Sequence, residues 1–310
     1  MPQRSGFIIA WVTLVSWAAT AHGVEFGPDY TSNDRLVCTS VFHWFTATNG
    51  QGSGPWRPLE GRAAWTGAPD FWVRQIKDIM DANIDVMYVH LMPSGDQERI
   101  YLFRALSQLR EQGYDVPVTS PFLDPLITWD ILPLIDCSTT AGKDAFAGEY
   151  IRFFNQYFSQ NTDPAAESYL FHLDGRVVLN TWHCNPGYVN NVGSLTRADV
   201  ESRLTAAFGA TRPTFNNGIY MVATPNGVAP PFADEKTHQF SGPPYYIKHI
   251  YNGRKTAGMK PAYWDQNVRT PGIFEPRGGG THYANAWNVV NSVRFGGPGV
   301  DGESFALPIY

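Results

Sequence analysis

Runs of lysine or arginine are missing from this sequence, and charged residues of both signs make up only 16% of it. Lys and Arg number 23 against 28 Asp and Glu, a net charge of −5. A nucleic-acid partner needs a basic stripe to displace counterions from phosphates, so none is expected. Cysteine is scarce too: Cys38, Cys137 and Cys184 are the whole complement, and their spacing fits no zinc pattern. Only one long apolar run occurs, Phe7–Ala19, and it is short for a spanning helix, which needs ~20 residues. A phosphate-cradling turn that opens a helix is also absent. TNGQGSGPW, after the first strand, has the glycines, but no helix starts directly from it.

The apolar run sits in MPQRSGFIIAWVTLVSWAATAHG, where one Arg precedes it and small residues Ala19, Ala21 and Gly23 follow. That is the layout of a secretory signal peptide over residues 1–23, with a retained anchor as the competing reading. The expectation is a secreted or periplasmic protein, with no membrane association after signal removal and a domain over 24–310. An oxidising compartment permits one disulfide and leaves one thiol over. The spacing does not say which pair bonds; Cys137 with Cys184 is the expectation.

What is abundant is aromatic and turn-forming: 14% aromatic residues, 10 Trp, 29 Gly and 23 Pro, with 43% hydrophobic residues. The chain can bury a large core and still turn often. Strand-like and helix-like stretches alternate along it. Leu36–Phe45 reads as a strand, and FWVRQIKDIMDANI as an amphipathic helix with apolar residues three and four apart. Val86–Met92 is a strand and Glu98–Gln112 a helix capped by Gly113. Strand 116–123, helix 143–160, strand 177–183, a helix opened by Thr196 and stopped by Gly209, and strand 219–224 follow. Tyr245–Thr256 reads as helix, Lys260–Asp265 as a sixth strand and Tyr283–Val293 as a sixth helix. Such alternation predicts α/β architecture with a parallel sheet, and a (β/α)8 TIM-type barrel is preferred over a doubly wound sheet.

Barrel sites lie at the C-terminal ends of strands. Those ends carry His43 and Trp44, His90, Asp124, Trp182 and His183, Asn226, and Trp264 with Asp265. Indoles stack on the apolar faces of sugar rings, while imidazole, amide and carboxylate bond to hydroxyls. Each His taken singly is more often structural than functional, and Asp124, between Leu123 and Pro125, suits a turn as well as a site. A zinc centre on His43, His90 and His183 is a competing reading, although no HxH or HxxxH pair supports it. Asp265, Asp124 and Glu275 are the intact candidates for catalytic acids; Asp265 could equally pair with Arg269, and Glu275 with Arg277.

VFHWFTA, FWVRQIKDIMDANIDVMYVHLM, SPFLDP, LDGRVVLNTWH and PAYWDQNVRTPGIFEPRGGGTHYANAW together resemble the (β/α)8-barrel glycoside hydrolases related to endo-α-mannosidases and, more distantly, fungal α-1,3-glucanases. The resemblance spans Val41 to Asn291. It implies an exported hydrolase acting on a poly- or oligosaccharide, with no cofactor and a carbohydrate as partner. In such families a strand near the end carries the carboxylates. Here that place reads RFGGPGVDGESFALPIY, where Asp301 and Glu303 match the motif faintly and no eighth strand is evident. The expectation is a barrel short of its last strand–helix units, with open edges at its first and sixth strands. A catalytically inactive carbohydrate-binding barrel and a His-based metal hydrolase remain the alternatives.

Overall fold

The computed structural model describes residues 30–31, 34, 36–43, 62–92, 95–124, 135–182, 184, 189–224 and 230–236, and the strands 246–251, 254–259, 263–265, 273–275 and 306–309. Residues 1–29 lie outside this set, and so does the expected helix Tyr283–Val293. Among the described residues no helix is long and apolar enough to cross a membrane.

The first strands are apolar on both sides, as strands between helices and an inner core must be. β1 (Leu36–Val41), β2 (Val86–His90), β3 (Val118–Leu123), β5 (Arg176–Trp182), β6 (Ile219–Thr224) and β7 (Glu235–Lys236) run parallel in that order, and every residue of β2 and β3 is buried. Helices fill the crossovers: α1 (Pro69–Asp81), α2 (Asp96–Glu111), α3 (Thr140–Gln160) and α4 (Arg197–Phe208). The sheet curls into a half-barrel. α/β alternation is therefore correct through β6.

Two cores divide the strand residues by parity. Val41, Met87, Val89, Leu123, Val177, Leu179 and Met221 face the helices, where α3 contributes Phe146, Tyr150, Phe153, Phe154 and Tyr157. Cys38, Tyr88, Phe122, Val178, Trp182, Tyr220 and Val222 fill the concave side. Its N-terminal mouth is closed by Tyr30, Phe171 and Leu173. Leu173 belongs to β4 (His172–Leu173), which pairs antiparallel with β5 around Asp174 and Gly175, at φ 50° and 74°. An Asp-Gly pair suits two successive positive φ angles, so this hairpin was signalled by LDGR. Pro121 has no N–H to give, and it falls between β3's pairings with Leu170 below and Asn180 above.

The later chain departs from expectation. Tyr245–Thr256 is not helical: β8 (Tyr246–Tyr251) and β9 (Arg254–Met259) pair antiparallel with Tyr251 opposite Arg254. Asn252-Gly253 between them is a strong hairpin signal, and the flanking aromatic and β-branched residues favour strand. Lys260–Asp265 does not join the parallel sheet; β10 (Tyr263–Asp265) and β11 (Ile273–Glu275) form their own antiparallel ribbon. The last residues form β12 (Ala306–Ile309), parallel to β1 with Leu36 opposite Ala306, so β1's expected open edge is covered. β9 continues the sheet beyond β12, β7 covers the outer edge of β6, and β7 also comes close to β8 and β9.

The expected disulfide is not formed. Cys38, Cys137 and Cys184 are buried, and none is paired with another as a disulfide. Cys137 and Cys184 both sit in the helix-side core. Burial pushes the Cys137 thiol up to about 11 and that of Cys184 well above its usual range.

Candidate functional site

Parallel register turns the concave face into rows, because equivalent positions on neighbouring strands stand side by side. One row runs His90, Phe122, Asn180, Val222, Glu235 across β2, β3, β5, β6 and β7. Trp182, the last residue of β5, stands one step nearer the C-terminal mouth, opposite Thr224. The row below runs Ser40, Tyr88, Ser120.

His90 ends β2 with its ring stacked on Phe42 at 4.2 Å and met edge-on by Phe122 at 4.3 Å. Phe122 in turn lies nearly parallel to Trp182, 6.4 Å between ring centres. The Phe122–Trp182 spacing lies within the favourable range for aromatic pairs, and the two contacts of the smaller imidazole ring are closer still. The result is a continuous ladder of rings from β1 to β5.

Behind it lies a buried charge network. The His90 carbonyl oxygen accepts from His43 Nε2 at 2.8 Å and from Arg99 Nη1 at 3.3 Å. A carbonyl only accepts, so Nε2 of His43 carries the proton and Nδ1 the lone pair. Arg99 rises from the first turn of α2, its side chain fully buried. Asp96 pairs with it, Gln156 accepts from its Nε at 2.7 Å, and Arg152 binds the same Asp96 at 2.7 Å while holding Glu149 at 2.5 Å. A buried cation is tolerable only with such partners. Burial brings the Arg99 guanidinium down to about 10, with Asp96 pulling the other way, so it stays charged at neutral pH. Burial first, and Arg99 second, hold His43 far below the ordinary imidazole range; burial alone does so for His90. Both rings are neutral.

Asp124 follows β3 directly and is buried. Its carboxyl lies near enough to the Cys184 thiol, just beyond β5, to add to an upward shift that burial dominates. Asn180 is 1% exposed, and its Oδ1 finds no hydrogen-bond partner among the described residues; the same holds for Ser40 Oγ. Ser120 Oγ instead donates to the Val178 carbonyl at 2.9 Å. A buried amide oxygen without a donor costs ~1–3 kcal/mol.

Of the residues expected at the site, His43, His90, Asp124 and Trp182 gather at the C-terminal ends of β1, β2, β3 and β5. Trp44, His183 and Asn226 lie outside the described residues. Trp264 and Asp265 are in β10 and Glu275 in β11, not on a barrel strand. Register sets Asp265 opposite Ile273 and Glu275 opposite Tyr263, so the two acidic positions share one face of that ribbon. Among the described residues no three His, Cys, Asp or Glu cluster as metal ligands.

Asn180, Glu235 and Arg99 were not anticipated. Asn180 is the polar residue in mid-strand of an apolar run. Arg99 lies on the stripe of Leu102, Phe103 and Leu106, where a charge is out of place. Both signals were readable. Glu235 sits on a two-residue strand, too short to show a period. Comparison with protein-family models, with curated proteins and with solved structures gives no match.

Proposed function

We propose that the protein is an exported glycoside hydrolase of the (β/α)8-barrel type, acting on an oligo- or polysaccharide at the C-terminal face of the curled sheet. The observation that carries this reading is the ring ladder Phe42–His90–Phe122–Trp182 beside Asp124, with the Asn180 amide oxygen unmatched on the same face. Aromatic faces suit the C–H faces of a pyranose, and an acceptor in want of a donor suits its hydroxyls. The resemblance of VFHWFTA, SPFLDP and LDGRVVLNTWH to glycosidase barrels points the same way, as does the signal-like N-terminus.

Hydrolysis needs two carboxyl groups across the scissile bond. Asp124 is the one this reading assigns among the described strand ends, as the acid that protonates the departing oxygen. Oligosaccharide binding is then expected to perturb tryptophan fluorescence, and Trp182→Ala to weaken it. Asn180→Leu removes one acceptor, a loss of about 2- to 13-fold for a hydrogen bond of ~0.5–1.5 kcal/mol. Asp124→Asn is expected to leave binding intact and lower turnover by ~10²–10⁴. A broad glycan panel that neither shifts the fluorescence nor is hydrolysed would sink the reading. Binding without hydrolysis would move it to a lectin-like barrel.

A further inference from the structure

The turn that feeds β6 carries a chemistry unrelated to the ring ladder. It runs from a short 3-10 helix, Pro213–Phe215, through Asn216 and Asn217 to Gly218, and β6 begins at the next residue. Gly218 sits at φ 83°, in the left-handed region, and a side chain there would run into the Glu201 carboxylate of α4. Backbone and packing together therefore require glycine at 218. Asn217 before it is exposed, and its side chain makes no hydrogen bond among the described residues. The Gly218 N–H is weakly held: it reaches the Phe215 carbonyl at 3.4 Å, beyond the usual hydrogen-bond range.

We infer that Asn217 is a site of spontaneous deamidation, with the Gly218 backbone nitrogen as the nucleophile. The inference stands apart from the glycosidase reading. In the step, that nitrogen bonds to the side-chain carbonyl carbon of Asn217. The bond from this carbon to the amide nitrogen breaks, and ammonia leaves with the proton of the Gly218 N–H. Water then opens the five-membered imide. Breaking the new bond restores the original chain path and leaves aspartate. Breaking the bond from the Asn217 main-chain carbonyl leaves isoaspartate, whose backbone runs one atom longer through the side chain. Ring closure needs an unhindered nitrogen, which a following residue without Cβ supplies. The exposed turn residues Asn83 and Asn191, at φ 54° and 50°, precede Ile84 and Val192, whose branched side chains crowd that approach. Among the described asparagines only Asn217 precedes glycine; Asn49, Asn226 and Asn252 do so in the sequence and lie outside the described residues. The position matters to the sheet. Ile219, two residues on, is the first rung of β6 against β5, opposite Val177, and its carbonyl oxygen lies 3.4 Å from Arg176 Nη1.

The test incubates the full chain in mildly alkaline buffer, digests it at acid pH, and sequences the peptides by mass spectrometry. Asn217 is expected to convert ~10-fold faster than Asn83, Asn191 and Asn216, a barrier lower by ~1.4 kcal/mol. Asn217→Gln, which would have to close a six-membered ring, is expected to fold as the parent does and to abolish the signal at this turn. The isoaspartate form, separated by chromatography, is expected to show ~10-fold lower hydrogen-exchange protection over Ile219–Met221. Asn217→Asp, without the extra backbone atom, is expected to keep that protection. Conversion of Asn217 at the rate of the three comparison residues overturns the inference. Conversion in urea but not in the folded chain overturns it equally, because the turn would then be a shield. An isoaspartate form with the parent's protection overturns the consequence for β6 and leaves the modification site standing.

Discussion

His43 and His90 are buried imidazoles kept neutral, and that has a consequence for stability. Their folded-state values lie below the ordinary ~6.5 of an exposed imidazole, so the unfolded chain binds protons that the folded one refuses. Their contribution is complete above about pH 6.5 and declines as pH falls from there. The urea midpoint is expected to drop between pH 7.5 and 5.5. His90→Phe keeps a ring between Phe42 and Phe122 and should flatten the slope. An unchanged midpoint over that range contradicts the burial argument. Asn180 carries the opposite lesson. Its unmatched oxygen costs stability, so near-isosteric Asn180→Leu is expected to raise the unfolding free energy by ~1 kcal/mol in thermal or urea melts and, on the proposed reading, to weaken oligosaccharide binding.

Among the helices, α4 shows how local chemistry sets an element. Thr196 accepts from the Asp199 N–H, and the Asp199 carboxylate accepts from the Thr196 N–H at 2.9 Å, a reciprocal capping box. Lys143 from α3 binds the same carboxylate at 2.9 Å. Lys143 first, and then Thr196, hold Asp199 at about 2. This is a depressed carboxylate, so its stabilisation is present above the unfolded value near 3.9 and is lost as pH falls from there towards 2. Thr196→Ala is expected to cost ~1 kcal/mol at pH 7 and less at pH 2.5, read from denaturant midpoints. Equal costs at both pH values would separate the cap from the carboxylate. Thr196 was legible as an N-cap because its partners lie within one turn. The β8–β9 hairpin departs from the helix expected over Tyr245–Thr256, because the Asn252-Gly253 turn signal and the aromatic and β-branched residues around it favour paired strands.

Across the assembled sheet, β12 is the element that alters expectation most. Its register with β1 spans Leu36–Thr39 against Ala306–Ile309, a ladder between the two ends of the described chain. Unpaired strand edges recruit other chains. Removing residues 300–310 is therefore expected to lower hydrogen-exchange protection of Leu36–Val41 and to promote self-association in sizing chromatography. Protection of β1 unchanged by the deletion would contradict the pairing.

The alternation through β6, the caps at Thr196 and Gly113, and the gathering of His43, His90, Asp124 and Trp182 at strand ends followed from sequence alone. Each rests on local rules: side-chain period, a cap within one turn, and the fixed polarity of a parallel sheet. The rows of the concave face did not follow. Register sets Asn180 and Glu235 level with His90, and register comes from burying both faces of strands far apart in sequence. The same holds for β12 against β1 and for the ribbon that carries Asp265 and Glu275. Closing loops of that length brings gains only once the intervening strands have paired, and no short stretch of sequence records it.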